Sequence, residues 1–375
     1  MNTTAAITLL IFPVDMDATT PFLSVGHALG VRLVGATSVE NQIADPRLDE
    51  LIHLPYISDP DFFQAFGVCL ETHGITHVYT SHPGVWTILK ELQEQQTAHP
   101  RFHLCQPAPY QAIWQDAAAG YAWADSAVAD PFPQQLTAPK GRVKPALKPG
   151  EYAALHKQFL HIPGQCDLDK LTAFAHLARI LPQGDLVEIG SLAGRSAFAL
   201  AWLAERYELG NLISIDPWSN QAIEAQGHQA EILNRDLEAI DFKRIFRVYI
   251  SNISLLTNAG YIRDSSAKAI DHYKQAAMEG TLMSPQLGTI AVTGKISLLH
   301  IDGNHDYDHV RQDIDAWTPY VMPGGWLLLD DYVWVFGDGP KKAGDELLHS
   351  NMFDLSFTMG DTLYLRRVCS KTITY

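Results

Sequence analysis

LLHIDGNHDYDHVRQDIDAWTPYVMPGGWLLLDDYVW, residues 298–334, is the stretch whose reading decides the fold. It reads as a buried strand ending at Ile301, an acidic turn, a helix, a Pro-Gly-Gly turn, and a second buried strand running into Asp330 and Asp331. In a parallel α/β sheet the carboxyl ends of the strands line the ligand crevice. If these two strands are neighbours, Asp302, Asp330, Asp331 and His305 meet at one edge of the sheet. Crowded carboxylates raise one another's pKa unless a cation sits among them. Polar strand ends with one Asp capping the next helix would be the plain alternative, but that leaves two acidic strand ends without a reason.

Upstream, VEIGSLAGRS (187–196) is a strand, a glycine-containing turn and the start of a helix. Gly190 and Gly194 let the backbone approach a ligand that a Cβ would block. The helix start supplies unpaired N–H groups. A dinucleotide fingerprint wants GxGxxG, and Leu192 stands where its second glycine belongs. Glu188, just before the turn, would repel a pyrophosphate and suits a cationic ligand instead. Asp216 ends the next strand, Leu212–Ile215, where a carboxylate can accept two ribose hydroxyls. Residues 220–290 read as mostly helical, clearest at 241–256 and 267–278, with a brief strand near Tyr261 leading to Asp264 and Ser265. The chain's end, 354–359 and 363–368, reads as a hairpin around Gly360.

The chain has 375 residues, a length that favours two domains. Its formal charge of −15 argues against a nucleic-acid partner, which needs clustered Lys and Arg. Four widely spaced cysteines make no CxxC pair and no zinc framework, as in a reduced, cytoplasmic chain. No apolar run approaches the roughly 18 residues that span a bilayer, so no membrane partner is expected. Residues 1–106 alternate strands (6–14, 31–37, 75–79, 102–105) with helices (21–29, 59–73, 85–96), which implies a small parallel sheet covered by helices. Residues 107–150 are rich in Ala and Pro and read as a linker, extended beyond a helical piece at 110–126. A second domain follows at 151–375.

Two resemblances arise from these residues. IFPV (11–14), LVGATSVE (33–40), YISDPDF (56–62) and VYTSHPG (78–84) weakly resemble the Rossmann-like module that precedes ATP-grasp domains. No ATP-grasp domain follows, so that nucleotide chemistry is not carried over. More specifically, VEIGSLAGRSAFALAWLAE (187–205), ISIDPW (213–218), the 298–317 segment and MPGGWLLLDDY (322–332) resemble class I S-adenosylmethionine-dependent methyltransferases. The likeness is to the branch containing metal-dependent sugar O-methyltransferases, and it covers about 151–370. It implies a Rossmann-like seven-stranded sheet with an antiparallel last strand. It also implies that Glu188, Gly190 and Gly194 surround the methionine part of S-adenosylmethionine, with Ser191 and Ser196 among the cofactor-binding residues, that Asp216 holds the ribose, and that the adenine contacts come from Asp264, Ser265 or Ser266. Asp302, Asp330 and Asp331 match acids that hold a divalent cation, with Mg²⁺ favoured by all-oxygen ligation. Some relatives carry a second carboxylate two residues after the first acid. Here Asn304 stands there, which moves the general-base assignment to His305.

The reading is thus an O-methyltransferase for a hydroxyl of a sugar, glycoside or similar small polar acceptor, with Asp302 and His305 as catalytic residues. Two rivals stand beside it. A metal-independent N- or phenolic O-methyltransferase would survive chelation. A non-catalytic binding module would take the cofactor and methylate nothing. The first domain is left with acceptor recognition or homo-oligomer contacts.

Overall fold

A computed structural model of the chain describes residues 7–95, 101–137, 142–220, 226 and 230–369. It divides into two compact units, 1–118 and 119–375. In the first, β1 (Thr8–Ile11), α1 (Thr20–Ala28), β2 (Arg32–Thr37), β3 (Glu50–His53), α2 (Phe62–His73), β4 (His77–Tyr79), α3 (Pro83–Glu94) and β5 (His103–Leu104) alternate as the sequence rhythm predicts. The sheet is parallel throughout, in the order β3-β2-β1-β4-β5. Strand β3 was not foreseen. It is a half-buried edge strand, so it lacks the apolar run that marked the others.

The expected linker is corrected in part: its helical piece is α4 (Pro109–Ala129), followed by an unexpected α5 (Phe132–Leu136), while 142–148 form neither helix nor strand, and the division between the units falls inside α4. Ala124, Ala127, Leu136 and Leu147 are buried in the same core as Tyr152 and Phe174. Trp123 Nε1 donates to Thr172 Oγ1 at 2.9 Å, and Arg366 Nη1 donates to the Leu136 carbonyl at 2.7 Å. Small alanines in this stretch permit close helix packing, so a composition that read as a spacer belongs to the second core. Residues 138–141, in the middle of the expected linker, lie outside the described residues. A fragment of residues 151–375 is therefore expected to melt well below one of residues 109–375, losing more than about 3 kcal/mol with its missing core side chains. Parallel thermal and urea melts of the two fragments check this.

The second unit continues with α6 (Pro149–His161), α7 (Leu168–Ala178), β6 (Asp185–Ile189), α8 (Arg195–Arg206), β7 (Leu212–Ile215), α9 (Glu231–Ala239), α10 (Phe242–Ile253), β8 (Ala259–Ile262) and α11 (Ser266–Glu279). It ends with β9 (Thr281–Ser284), β10 (Gly288–Ala291), β11 (Ile296–Ile301), α12 (Tyr307–Trp317), β12 (Val321–Leu329), α13 (Gly339–Leu348), β13 (Phe353–Met359) and β14 (Thr362–Arg367). Seven strands pair in the order β13-β14-β12-β11-β6-β7-β8. The last strand, β14, runs antiparallel to β12, as the resemblance implies. The β9–β10 hairpin corrects the mostly helical reading of 220–290. Its four-residue strands are largely exposed and carry little alternation, which is why periodicity missed them.

Strands β6, β7, β11 and the carboxyl half of β12 are buried along their whole length, between one layer built on Leu171, Phe174, Leu200 and Tyr249 and another built on Ile270, Val310, Ile314 and Trp317. The register positions the site. Ile301 pairs with Ile189 on one side and Leu329 on the other, and Ile189 pairs with Ile215. The next residue on each strand is Asp302, Gly190, Asp330 or Asp216. All four leave the sheet in one row at its carboxyl edge.

Candidate functional site

Three residues just beyond this row sit in left-handed backbone that side chains other than glycine seldom adopt: Leu192 (φ 44°), Trp218 (φ 39°) and Asp331 (φ 52°). Such strain persists where surrounding contacts over-determine it. Asp216 supplies those contacts for the first two. Its Oδ2 accepts from the Leu192 N–H at 3.0 Å and its Oδ1 from the Trp218 N–H at 2.7 Å. The Trp218 indole then donates back to the Leu192 carbonyl at 2.8 Å. Burial pushes the Asp216 carboxyl up to about 6, with these backbone donors pulling the other way.

Gly190 has a structural reason besides the expected approach to a ligand. A Cβ there, at φ +86°, would lie 1.9 Å from the Asp302 carbonyl oxygen. The glycine thus lets the turn after β6 touch the backbone after β11, whether or not a ligand is bound. Gly190→Ala is expected to cost about 4 kcal/mol or more in stability, as strain at a special backbone position can. Urea melts would measure the loss, and a near-wild-type midpoint would refute it. Gly194 (φ +89°) caps α8, and its Cβ would come 3.0 Å from the Tyr249 ring.

Glu188 is fully buried. It accepts from Ser191 Oγ at 2.6 Å and lies 3.1 Å from His300 Nδ1. His300, on β11, stands between two sets of acids: Glu188 on one side, Asp302 and Asp330 on the other, the latter two grouped with it within metal-ligand reach. Its Nε2 is buried without a hydrogen-bond partner among the described residues. Ser196 is buried in the first turn of α8. Asp264 accepts from the Ser265 N–H at 2.8 Å, and Ser265 caps α11, so both lie in the turn after β8.

At the other end of the row, Asp302, His305 and Asp331 converge. Each is partly open to solvent, and their ligand atoms fall within 4.8 Å of one another. His305 Nε2 lies 2.6 Å from Asp331 Oδ2 and 4.0 Å from Asp302 Oδ1. Gln226 Oε1 accepts the His305 backbone N–H at 2.8 Å and stands 2.7 Å from Nδ1. An amide oxygen can only accept, so Nδ1 carries a proton and Nε2 is left to face the acids. The Trp334 ring packs at 4.6 Å from the imidazole. Tyr332 points elsewhere, donating to Asp345 at 2.6 Å. Asp306 caps α12 and Asp308 lies in its first turn.

Asp330 is engaged differently from its neighbour. Lys170, on α7 and only 2% exposed, places its ammonium 2.6 Å from the Asp330 carboxylate and 3.4 Å from Asp361. Thr362 Oγ1 also donates to Asp330. Burial alone would raise the Asp330 carboxyl, but the Lys170 charge holds it below the ordinary range. Asp302 moves the other way, well above that range, through burial and the adjacent Asp330 charge. Lys170 and His300 escaped the sequence reading. His300 lies inside an apolar run that reads as core and Lys170 in the first turn of a helix beside Asp167 and Asp169, where it reads as a surface charge; only the tertiary pairing brings Lys170 to the acids.

Residues 187–332 match a family described as a methyltransferase domain. A curated relative, the uncharacterized protein R132 of Acanthamoeba polyphaga mimivirus, is 26% identical over 159 residues, 42% of this chain and 56% of that protein. The chain thus spans little more than half the length of this relative. Among solved structures, the O-methyltransferase NovP is 16% identical with a TM-score of 0.39, covering 54% of this chain and 80% of its own. MycE methyltransferase from the mycinamycin biosynthetic pathway, in complex with Mg, SAH and mycinamycin VI, is 14% identical with a TM-score of 0.38, covering 62% and 57%. No helix among the described residues is long and apolar enough to cross a membrane.

Proposed function

We propose that this chain, whose residues 187–332 match a methyltransferase domain, moves the methyl group of S-adenosylmethionine to a hydroxyl of a sugar or similar polar acceptor with help from a divalent cation. The observation that carries this reading is the single row of Asp216, Gly190, Asp302 and Asp330 at the sheet edge, with His305 and Asp331 beside it. The cofactor's ribose would meet Asp216, its methionine end the turn from Glu188 to Gly194, and its adenine the turn at Asp264 and Ser265. The acceptor would lie over Asp302, His305 and Trp334.

The donor set fits a hard cation. Three carboxylates, those of Asp302, Asp330 and Asp361, act on one ammonium, that of Lys170, and Asp331 lies near Asp302 and Asp361. Asp302 and Asp331 would hold the ion, since Asp330 is already paired. When bound, such an ion supplies Lewis-acid charge that lowers the pKa of an acceptor hydroxyl. The chain's own groups do the rest. In an in-line displacement the acceptor oxygen forms a bond to the methyl carbon, the carbon–sulfur bond breaks, and its electron pair stays on sulfur. The hydroxyl proton goes to His305 Nε2. Gln226 accepts from Nδ1–H, which leaves Nε2 to receive the proton once Asp331, now 2.6 Å from it, turns to the ion, and that carboxylate would then stabilise the imidazolium formed. One feature favours the metal-independent rival: Lys170 already places a cation against Asp330. Turnover before and after exhaustive chelation separates the two readings, and loss of turnover restored by Mg²⁺ supports the metal.

Cofactor affinity should depend on pH through Asp216. Its folded pKa of about 6 lies above the ordinary 3.8, so the stability it contributes is present below about 3.8 and lost as pH rises through about 6. Cofactor binding has the opposite sign, because ribose hydroxyls donate to the ionised form. S-adenosylhomocysteine should bind more weakly as pH falls through about 6. Asp216→Asn should flatten that dependence and weaken binding roughly ten- to a hundred-fold, because its NH₂ must face a backbone N–H. Calorimetry across the pH range reads both.

A further inference from the structure

Away from the acidic cluster, α10, the end of β8 and the turn of the β9–β10 hairpin enclose a groove of about 580 Å³. That size falls within the usual span of small-molecule sites. Its charge runs against the rest of the chain, whose net value is −15. Asp241, the one acid in its lining, is committed: it caps α10 through the N–H groups of Lys243 and Arg244 and pairs with the Arg244 guanidinium at 3.1 Å. That leaves Lys243, Arg247 and Arg263, and among the described residues no carboxylate forms an ion pair with any of them. Arg263 is held in place. Its guanidinium lies 4.5 Å from the centre of the Phe246 ring, and its Nη2 donates to the Trp218 carbonyl at 2.8 Å. A merely solvated cationic helix face would spread outward and draw on one element. Here cations from α10 and from the end of β8 border one concavity with an apolar floor of Phe246 and Ile250, and Gln286 adds an amide from the hairpin.

We propose that this groove is an anion site for a phosphoryl group, separate from the acidic cluster and not assigned by the methyl-transfer reading. Guanidinium and ammonium donors at one mouth suit phosphoryl oxygens, which accept several charge-assisted hydrogen bonds at once. The aromatic and aliphatic floor suits the organic part of a phosphate ester, either a sugar phosphate or a nucleotide. The site does not depend on the identity of the methyl acceptor.

The test is calorimetry on the full chain at low salt without cofactor, using inorganic pyrophosphate, a hexose phosphate and a nucleoside diphosphate, with a tricarboxylate as the charge control. Saturable binding of the phosphoryl compounds at one site is expected, weakening as salt rises. The stronger of the two ester arms names the source. Lys243→Glu and Arg247→Glu, both exposed positions, should each weaken binding at least about tenfold while leaving S-adenosylhomocysteine affinity unchanged. Because that affinity is measured separately, failure here is distinguishable from failure of the methyltransferase reading. No saturable binding, equal affinity in the charge-reversed variants, or equal binding of the tricarboxylate would overturn the proposal.

Discussion

His305→Ala is expected to lower kcat about 10²–10⁴-fold, the span lost with a positioned general base, while cofactor affinity stays near wild type. The two effects separate because the proposed cofactor residues lie at the ends of β6, β7 and β8, whereas His305 follows β11 and touches Asp331, Gln226 and Trp334. The residual rate should climb with pH as solvent takes over proton removal. Gln226→Ala should give a smaller loss of the same kind. It removes the acceptor that fixes the imidazole tautomer and leaves Nε2 in place. Full activity in His305→Ala would hand proton removal to an aspartate or to solvent.

Lys170→Met is expected to destabilise the second unit by about 3–5 kcal/mol, the cost of leaving a buried carboxylate without its partner. Lys170 and Asp330 are almost wholly buried, and Asp330 is held ionised chiefly by that ammonium. Adding Asp330→Asn to Lys170→Met should restore part of the loss, because the uncompensated charge is then gone. Urea denaturation of wild type, the single variant and the double variant measures this. A double variant as unstable as the single one would mean that Lys170 acts through packing instead. Added Mg²⁺ should also recover stability in Lys170→Met if a divalent ion can stand in for the ammonium.

Much of the second unit was legible because its strands are buried on both faces and its turns carry glycine or acids. The 298–334 segment reads as two strands with a helix between them, and these strands do pair in parallel; the seven strands and the antiparallel β14 are those the resemblance implies. The acids were legible as a group but not in their division of labour. Asp330 and Asp331 are adjacent in sequence, yet the left-handed backbone at Asp331 separates them: one is paired with Lys170, the other lies beside His305. No sequence pattern announces a partner 160 residues away. At Gly190 a second demand was hidden from the sequence, since the Asp302 backbone already leaves no room for a side chain there. The alanine-rich helix α4 shows the limit of composition, which cannot tell a spacer from a helix that packs closely through small side chains.

The central claim is methyl transfer to an acceptor hydroxyl at the site bounded by Asp216, Asp302 and His305. It is tested most directly by incubating the full chain with methyl-labelled S-adenosylmethionine and a panel of sugars, glycosides and phosphorylated sugars, with and without chelator, and locating the label by mass spectrometry and NMR. The account predicts label on a hydroxyl oxygen of one acceptor class, lost on chelation and restored by Mg²⁺. Label on nitrogen, transfer that survives exhaustive chelation, or cofactor binding with no transfer to any acceptor would contradict it.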